Sequence, residues 1–313
     1  LESWAECPFA YFVNHLLRVE PVEDPAQLLT ISAWDRGSLV HEILQLFVDD
    51  VLARPAADRP PPDRRWSAAD HARMRELAER VCDDYEARGL TGRPVFWRRE
   101  RAQILALADR FLTEDDGHRA GDGTRPVAAE LRFGYGDDGD GPGPVVLSLA
   151  DGRSLRFRGS ADRVDLGDDG TIHVVDYKTG KSDDFRRLGP ENPDEGGTKL
   201  QLPVYGMAAR QFVGRGDAPV QARYWFISER EGFRRIGYAV DDQVLARVGA
   251  TLATIVEGIE RGAFPARPDA SGTPWVTCPY CDPDGLGVAD LRRDWERKRS
   301  HPAIAAYAGM AEP

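Results

Sequence analysis

Residues Gly159–Lys181 read GSADRVDL–GDDG–TIHVVDYKTGK. Two strand-like runs, 159–166 and 171–178, flank a Gly/Asp turn, which predicts a β-hairpin or meander step. Asp176 and Lys178 are two residues apart, so their side chains leave the same face of the second run. Asp162 lies on the partner run and can be brought alongside them. Two carboxylates and a lysine at the end of a sheet are expensive to desolvate unless a cation sits among them. Metal-assisted cleavage of a phosphodiester uses such a group: carboxylate oxygens hold a hard divalent ion, and the ion activates water. The lysine then orients the water or neutralises the phosphate. The competing reading is a solvated hairpin, because D-x-K recurs by chance in charged chains. The run G-x-x-D-R-x-D ahead of D-Y-K-T-G-K weighs against it.

This stretch resembles the core of the PD-(D/E)XK nuclease superfamily, in particular its RecB-type and AddB-type domains. Three further segments carry the likeness. ECPFAYF (6–12) resembles the segment that opens such domains, RGSLVHEIL (36–44) their G-x-x-x-H helix, and LQLPVYG (200–206) their Q-x-x-x-Y helix. The resemblance implies an α/β fold of restriction-endonuclease type, a mixed central β-sheet flanked by helices with a helical N-terminal elaboration. It also implies a metal-dependent DNA nuclease, an exonuclease that processes single-stranded DNA ends in recombinational repair beside a helicase. In that frame Asp162, Asp176, the Tyr177 carbonyl and His41 hold Mg²⁺ or Mn²⁺. Lys178 positions the water, and Gln201 and Tyr205 orient the strand. Imidazole beside carboxylates suits Mn²⁺ better than Mg²⁺.

Several residues carry two readings at this stage. Glu130 is either a solvated strand residue or a further site acid. Lys181 is either a contact to a flanking phosphate or a solvated lysine. Asp165 is expected in a structural salt bridge with Arg163 or Arg158. A rival for the whole chain is a catalytically silent nuclease fold that guides DNA or scaffolds a repair complex. Both site acids and the lysine are present, which argues for activity.

Four cysteines in 313 residues make no disulfide framework. Cys278 and Cys281 have a metal-type C-x-x-C spacing, and Cys7 lies in the opening motif. AddB-type domains resemble this and hold a [4Fe–4S] cluster on four cysteines; here the later cysteine is absent, and the chain runs on as DPDGLGVAD. Cys82 falls on an apolar helical stripe with Met74, Leu77, Ala78, Val81 and Tyr85, so a core cysteine is the better reading. A cluster, a zinc ion or no metal at all therefore stand as alternatives at Cys7, Cys278 and Cys281.

Apolar residues make up 42% of the chain, enough for a sizeable core, and no apolar run is long enough for a membrane span. A cytoplasmic protein with no membrane partner is expected. The formal net charge of -11 runs against the basic surface of a nucleic-acid binder. Acid is concentrated in predicted loops, however, and arginines cluster apart from it at 98–101, 186–187, 234–235 and 292–299. Feeble DNA binding alone, with a partner delivering the strand, follows. The chain opens almost inside a motif, so excision from a longer helicase–nuclease is expected. One nuclease unit over 1–313 is read, with a helical part at 1–120, an α/β core at 127–262 and a C-terminal segment, 263–313, holding CPYC. The spacing predicts helices through His41, at 67–88 and 95–113, through Gln201, and over 244–259. Strands are predicted at 127–135, 144–149, 154–166, 171–178, 220–228 and 233–240.

Overall fold

A computed structural model describes residues 1–19, 29–135, 141–267, 280–281 and 289–311. After two short helical turns, α1 (Glu2–Glu6) and α2 (Pro8–Tyr11), come α3 (Ala33–Leu52), α4 (Ala68–Ala87) and α5 (Pro94–Asp122). Each start has a local cause. Ser32 caps α3 by accepting from the Asp35 N–H, and Ser67 and Asp70 form a reciprocal capping box on α4. Pro94 opens α5 at its first turn. The strands are β1 (Thr124–Phe133), β2 (Val145–Ser148), β3 (Ser154–Phe157), β4 (Gly159–Gly167), β5 (Ile172–Lys178), β6 (Val220–Phe226) and β7 (Arg235–Ala239). Helix α6 (Gln201–Val213) falls between β5 and β6, and α7 (Asp242–Glu260), α8 (Ala289–Lys298) and α9 (Ala305–Ala311) follow β7. None of the described helices is long and apolar enough to cross a membrane.

Five strands form one mixed sheet in the order β1-β4-β5-β6-β7. Only β5 and β6 run parallel, joined through α6 as a crossover helix; the other neighbours are antiparallel. This is the expected mixed sheet flanked by helices. Alternation along the strands sends Val174, Ala222 and Tyr224 to one face, where they pack with residues of α6 and α7. Val175, Tyr177 and Trp225 point to the other face, into the core made by α3, α4 and α5. Gly206 brings α6 close to the sheet: a Cβ there would lie 3.1 Å from Val220 Cγ1 and 3.2 Å from Val240 Cγ2.

Two predicted elements have different bounds. The run 154–166 is not one strand: β3 pairs only with β2 in a separate two-stranded sheet, and β4 belongs to the main sheet. Helix α5 does not stop at 113 but passes through Gly117 and Gly121 to Gly123, which closes it in a left-handed conformation. A glycine in a helix interior costs about 1 kcal/mol, and a buried ion network offsets that here. Asp115 on α5 accepts from Arg119, from Arg163 Nη1 at 2.7 Å and from the Trp66 indole at 2.9 Å. Asp122, two turns on, pairs with Arg223 at 2.8 Å and Arg235 at 2.5 Å. Arg163, Arg223 and Arg235 lie on β4, β6 and β7, so the last turns of α5 are held by the sheet rather than by propensity. Arg163 also donates to Asp165 at 2.6 Å, the structural bridge expected for that acid.

Candidate active site at the fork between β4 and β5

The pairing of β4 with β5 ends at Arg163↔Val175. Beyond that point β4 stays with β1 as far as Gly159, while β5 stays with β6 as far as Lys178↔Phe226. The sheet thus opens into a fork, and backbone groups facing the gap need other partners. Asp162 supplies one: its Oδ2 accepts from the Tyr177 N–H at 2.7 Å. Tyr177 meets the site through that N–H, and its ring packs edge-on to His41 at 5.9 Å.

Helix α3 covers the fork from the Tyr177 side and presents His41, whose Nδ1 lies 3.4 Å from Asp162 Oδ2. Glu130 on β1 sits between the pairs Ala129↔Arg163 and Leu131↔Ala161, opposite Asp162. Its φ of 44° is left-handed, a strained backbone for a non-glycine residue and a recurrent feature of functional sites. Ser160 donates to Glu130 Oε2 at 2.7 Å and fixes the carboxylate. One ligand atom each from His41, Glu130 and Asp162 lie within 4.8 Å of one another, all three half-buried. Glu130 therefore stands with the site acids and not in solvent.

Helix α6 covers the fork from the other side. Asp176 is buried, and Lys178 Nζ lies 2.5 Å from its Oδ2. That contact is an ion pair without hydrogen-bond direction, because Oδ2 has no hydrogen-bond partner. Lys178 Nζ instead donates to Gln201 Oε1 at 2.8 Å and sits 4.9 Å from the centre of the Tyr224 ring. Gln201 Nε2 donates in turn to the Tyr205 hydroxyl at 3.4 Å, as the i, i+4 spacing predicts. Asp176 is not part of the three-residue group: it shares the site through its charge while facing Lys178. The group thus sets Glu130 alongside two of the expected ligands, His41 and Asp162. Two supporting residues, Ser160 and Tyr224, carried no sequence signal, since their roles depend on neighbours across strands.

The electrostatics follow from burial and crowding of like charge. Burial first, and then the charge of Asp162, push the Asp176 carboxyl up to about 7, against the pull of Lys178. Glu130 is raised by the same two causes, with Ser160 opposing. Burial would lower His41, but the hydrogen bond to Asp162 and the charges of Asp162, Asp176 and Glu130 together outweigh it and raise the imidazole. The Tyr205 phenol is held far above its usual range by burial and then by Asp176 and Asp162, so it stays neutral. Two carboxyls whose charged forms are disfavoured, Glu130 and Asp176, with Asp162 and a neighbouring imidazole form a donor set that fits a hard divalent cation.

Lys181 is exposed beyond the strand end. Cys7 and Cys281 are buried together in a small cluster with Phe9, Ala10 and Leu291, so these two distant segments do meet. Cys278 lies outside the described residues. Cys82 is in the α3–α5 core, and burial raises its thiol to about 11. With only four cysteines in the chain, at most three can converge, so the donor set does not fit a four-cysteine cluster.

The chain matches the PD-(D/E)XK nuclease superfamily over residues 1–284. It is 33% identical over 215 residues to a subunit of an ATP-dependent helicase/deoxyribonuclease from Symbiobacterium thermophilum, covering 66% of this chain and 17% of that protein. The like-named protein of Geobacillus thermodenitrificans is 26% identical over 259 residues, 75% of this chain and 20% of that one. That of Desulforudis audaxviator is 26% identical over 295 residues, 83% and 24%. The chain spans less than a quarter of the length of each of these relatives. By its match over nine-tenths of its length, and by an Asp–Asp–Lys group seated in a forked mixed sheet, this chain belongs to the PD-(D/E)XK nuclease superfamily.

Proposed function

We propose that this chain is a divalent-metal-dependent deoxyribonuclease acting on single-stranded DNA ends in recombinational repair, beside a helicase that delivers the strand. The observation that carries this reading is the convergence of His41, Glu130 and Asp162 within 4.8 Å, beside the buried Asp176–Lys178 pair. His41, Glu130, Asp162 and Asp176, with the Tyr177 carbonyl, would hold Mn²⁺ or Mg²⁺. A divalent ion bound there supplies an acidified water and charge stabilisation at phosphorus.

The chain's own groups do the rest. Lys178 Nζ is held in place by Gln201 Oε1, where it can pair with a phosphate oxygen or orient the attacking water. Tyr205, kept neutral, holds Gln201. The Tyr177 N–H fixes one Asp162 oxygen and leaves the other for a ligand. Helicase partnership rests on what the relatives are called and on the net charge of -11, which disfavours unaided DNA capture.

The test is cleavage of end-labelled single-stranded DNA with Mn²⁺, Mg²⁺ or EDTA. Wild-type chain should cleave only with metal. Lys178→Ala and Asp162→Asn should lose about 10²–10³-fold in rate, the size of removing one transition-state contact, with unchanged circular dichroism. Digestion in EDTA, or at the wild-type rate by either variant, refutes the assignment.

A further inference from the structure

Five of the described tryptophans are buried; Trp34 is 83% exposed. It stands in the first turn of α3, seven residues before His41. Seven residues are nearly two full turns, so the two side chains share one stripe of the helix about 10 Å apart along its axis. Gly37 lies on that stripe between them. Its missing Cβ would sit 3.5 Å from Thr179 Oγ1, which places the stripe against the residue that directly follows Lys178. Lys181 is exposed two residues beyond Thr179. Trp34, Gly37 and His41 thus run along one face of α3, with Gly37 beside the end of β5. Side chains of α3 lean towards its N-terminus, so the Trp34 ring extends past the helix end and away from the core.

An exposed tryptophan costs solvation free energy and contributes nothing to packing. We propose that Trp34 is a stacking platform for a nucleobase of single-stranded DNA, a short step along the strand from the scissile phosphate. This rests on the nuclease reading above and adds the residue that holds the strand. Stacking tolerates any base, because each has a π-face. It also needs no positive field, which suits a chain with net charge -11. The occupant is a single strand rather than a duplex, in which stacked bases do not present their faces.

The test uses the 313-residue chain, an oligothymidylate and its blunt duplex counterpart. In EDTA, the oligothymidylate should quench the tryptophan emission of wild type, Trp34→Phe should lose that quenching, and duplex should leave it unchanged. In the metal-supported reaction, Trp34→Ala should raise KM about tenfold or more, the size of one lost stacking contact, with kcat within about twofold. Trp34→Phe should restore most of the KM. One abasic nucleotide walked along the substrate should raise KM at a single position in wild type and at none in Trp34→Ala. A wild-type KM in Trp34→Ala, or a fall in kcat alone, overturns the proposal. If cleavage is intact but the variant is silent, stacking fails and the nuclease reading stands. If no metal supports cleavage but Trp34 is still quenched by the single strand, the platform stands and the nuclease reading fails. Quenching by duplex equal to that by single strand also overturns the platform.

Discussion

Replacing Asp176 by asparagine should make the metal-free chain more stable while abolishing cleavage. Asp176 is 2% exposed, and its carboxyl is pushed from 3.8 up to about 7 by burial and then by Asp162, even with Lys178 at 2.5 Å. Between those two values the folded chain keeps a proton that the unfolded chain has released. Stability therefore falls as pH rises through that window, and the full cost is present above about pH 7. At about 1.4 kcal/mol per pH unit, that cost is a little over about 4 kcal/mol. Asparagine has the same shape and no charge. Losing the Lys178 ion pair and seating an amide imperfectly takes back about 1–2 kcal/mol. The net expectation is a gain of about 2 kcal/mol near pH 8 and none near pH 4. Urea unfolding in EDTA at both pH values reads it directly. Manganese at about a hundred times its Kd should stabilise the wild type by about 3 kcal/mol and the variant by less. If Asp176→Asn is less stable than wild type at pH 8 in EDTA, the buried carboxylate is a net stabilising ion pair and the reasoning fails.

Two further expectations follow from other groups. His41→Ala should weaken manganese binding about tenfold or more, measured as the metal concentration that half-saturates the thermal shift, while the shift at saturating metal is retained. His118 is held down at about 4 by burial and then by the Arg235 charge, and its ring packs edge-on to Trp225 at 4.7 Å. Its folded value lies below the ordinary 6.5, so stability is lost as pH falls from 6.5 towards 4. After allowance for its partial exposure, the loss is about 1–2 kcal/mol. His118→Gln should flatten that part of the stability profile relative to wild type; an unchanged slope counts against it.

Much of the site was legible because it rests on short covalent spacings. Asp176 and Lys178 share a strand face by alternation, and Gln201 and Tyr205 share a helix face by the i, i+4 rule. The hairpin that carries Asp162 beside Asp176 was set by the GDDG turn. The Arg163–Asp165 bridge, two residues apart on β4, was read correctly for the same reason. Cys82 followed its apolar stripe into the core. The sequence points to an end of α5 near 113, because glycines at 117 and 121 speak locally for a loop. The groups that override them, Arg163, Arg223 and Arg235, are brought to the helix only by the sheet. The continuous strand predicted over 154–166 failed similarly, since nothing in those residues says that the two halves pair with different partners.

From the order of residues alone came a mixed α/β core, an acid–acid–lysine group on adjacent strands and a helix with Gln201 and Tyr205 on one face. Those are consequences of backbone period and turn chemistry, which act within a few residues. Only the folded chain decided that β4 and β5 part company at Arg163, that Glu130 turns inward on a strained backbone, and that Asp176 faces Lys178. It also decided that Trp34 stays in water on the stripe that leads to His41. Each of these depends on contacts between segments far apart in sequence, where packing, and not local preference, sets position.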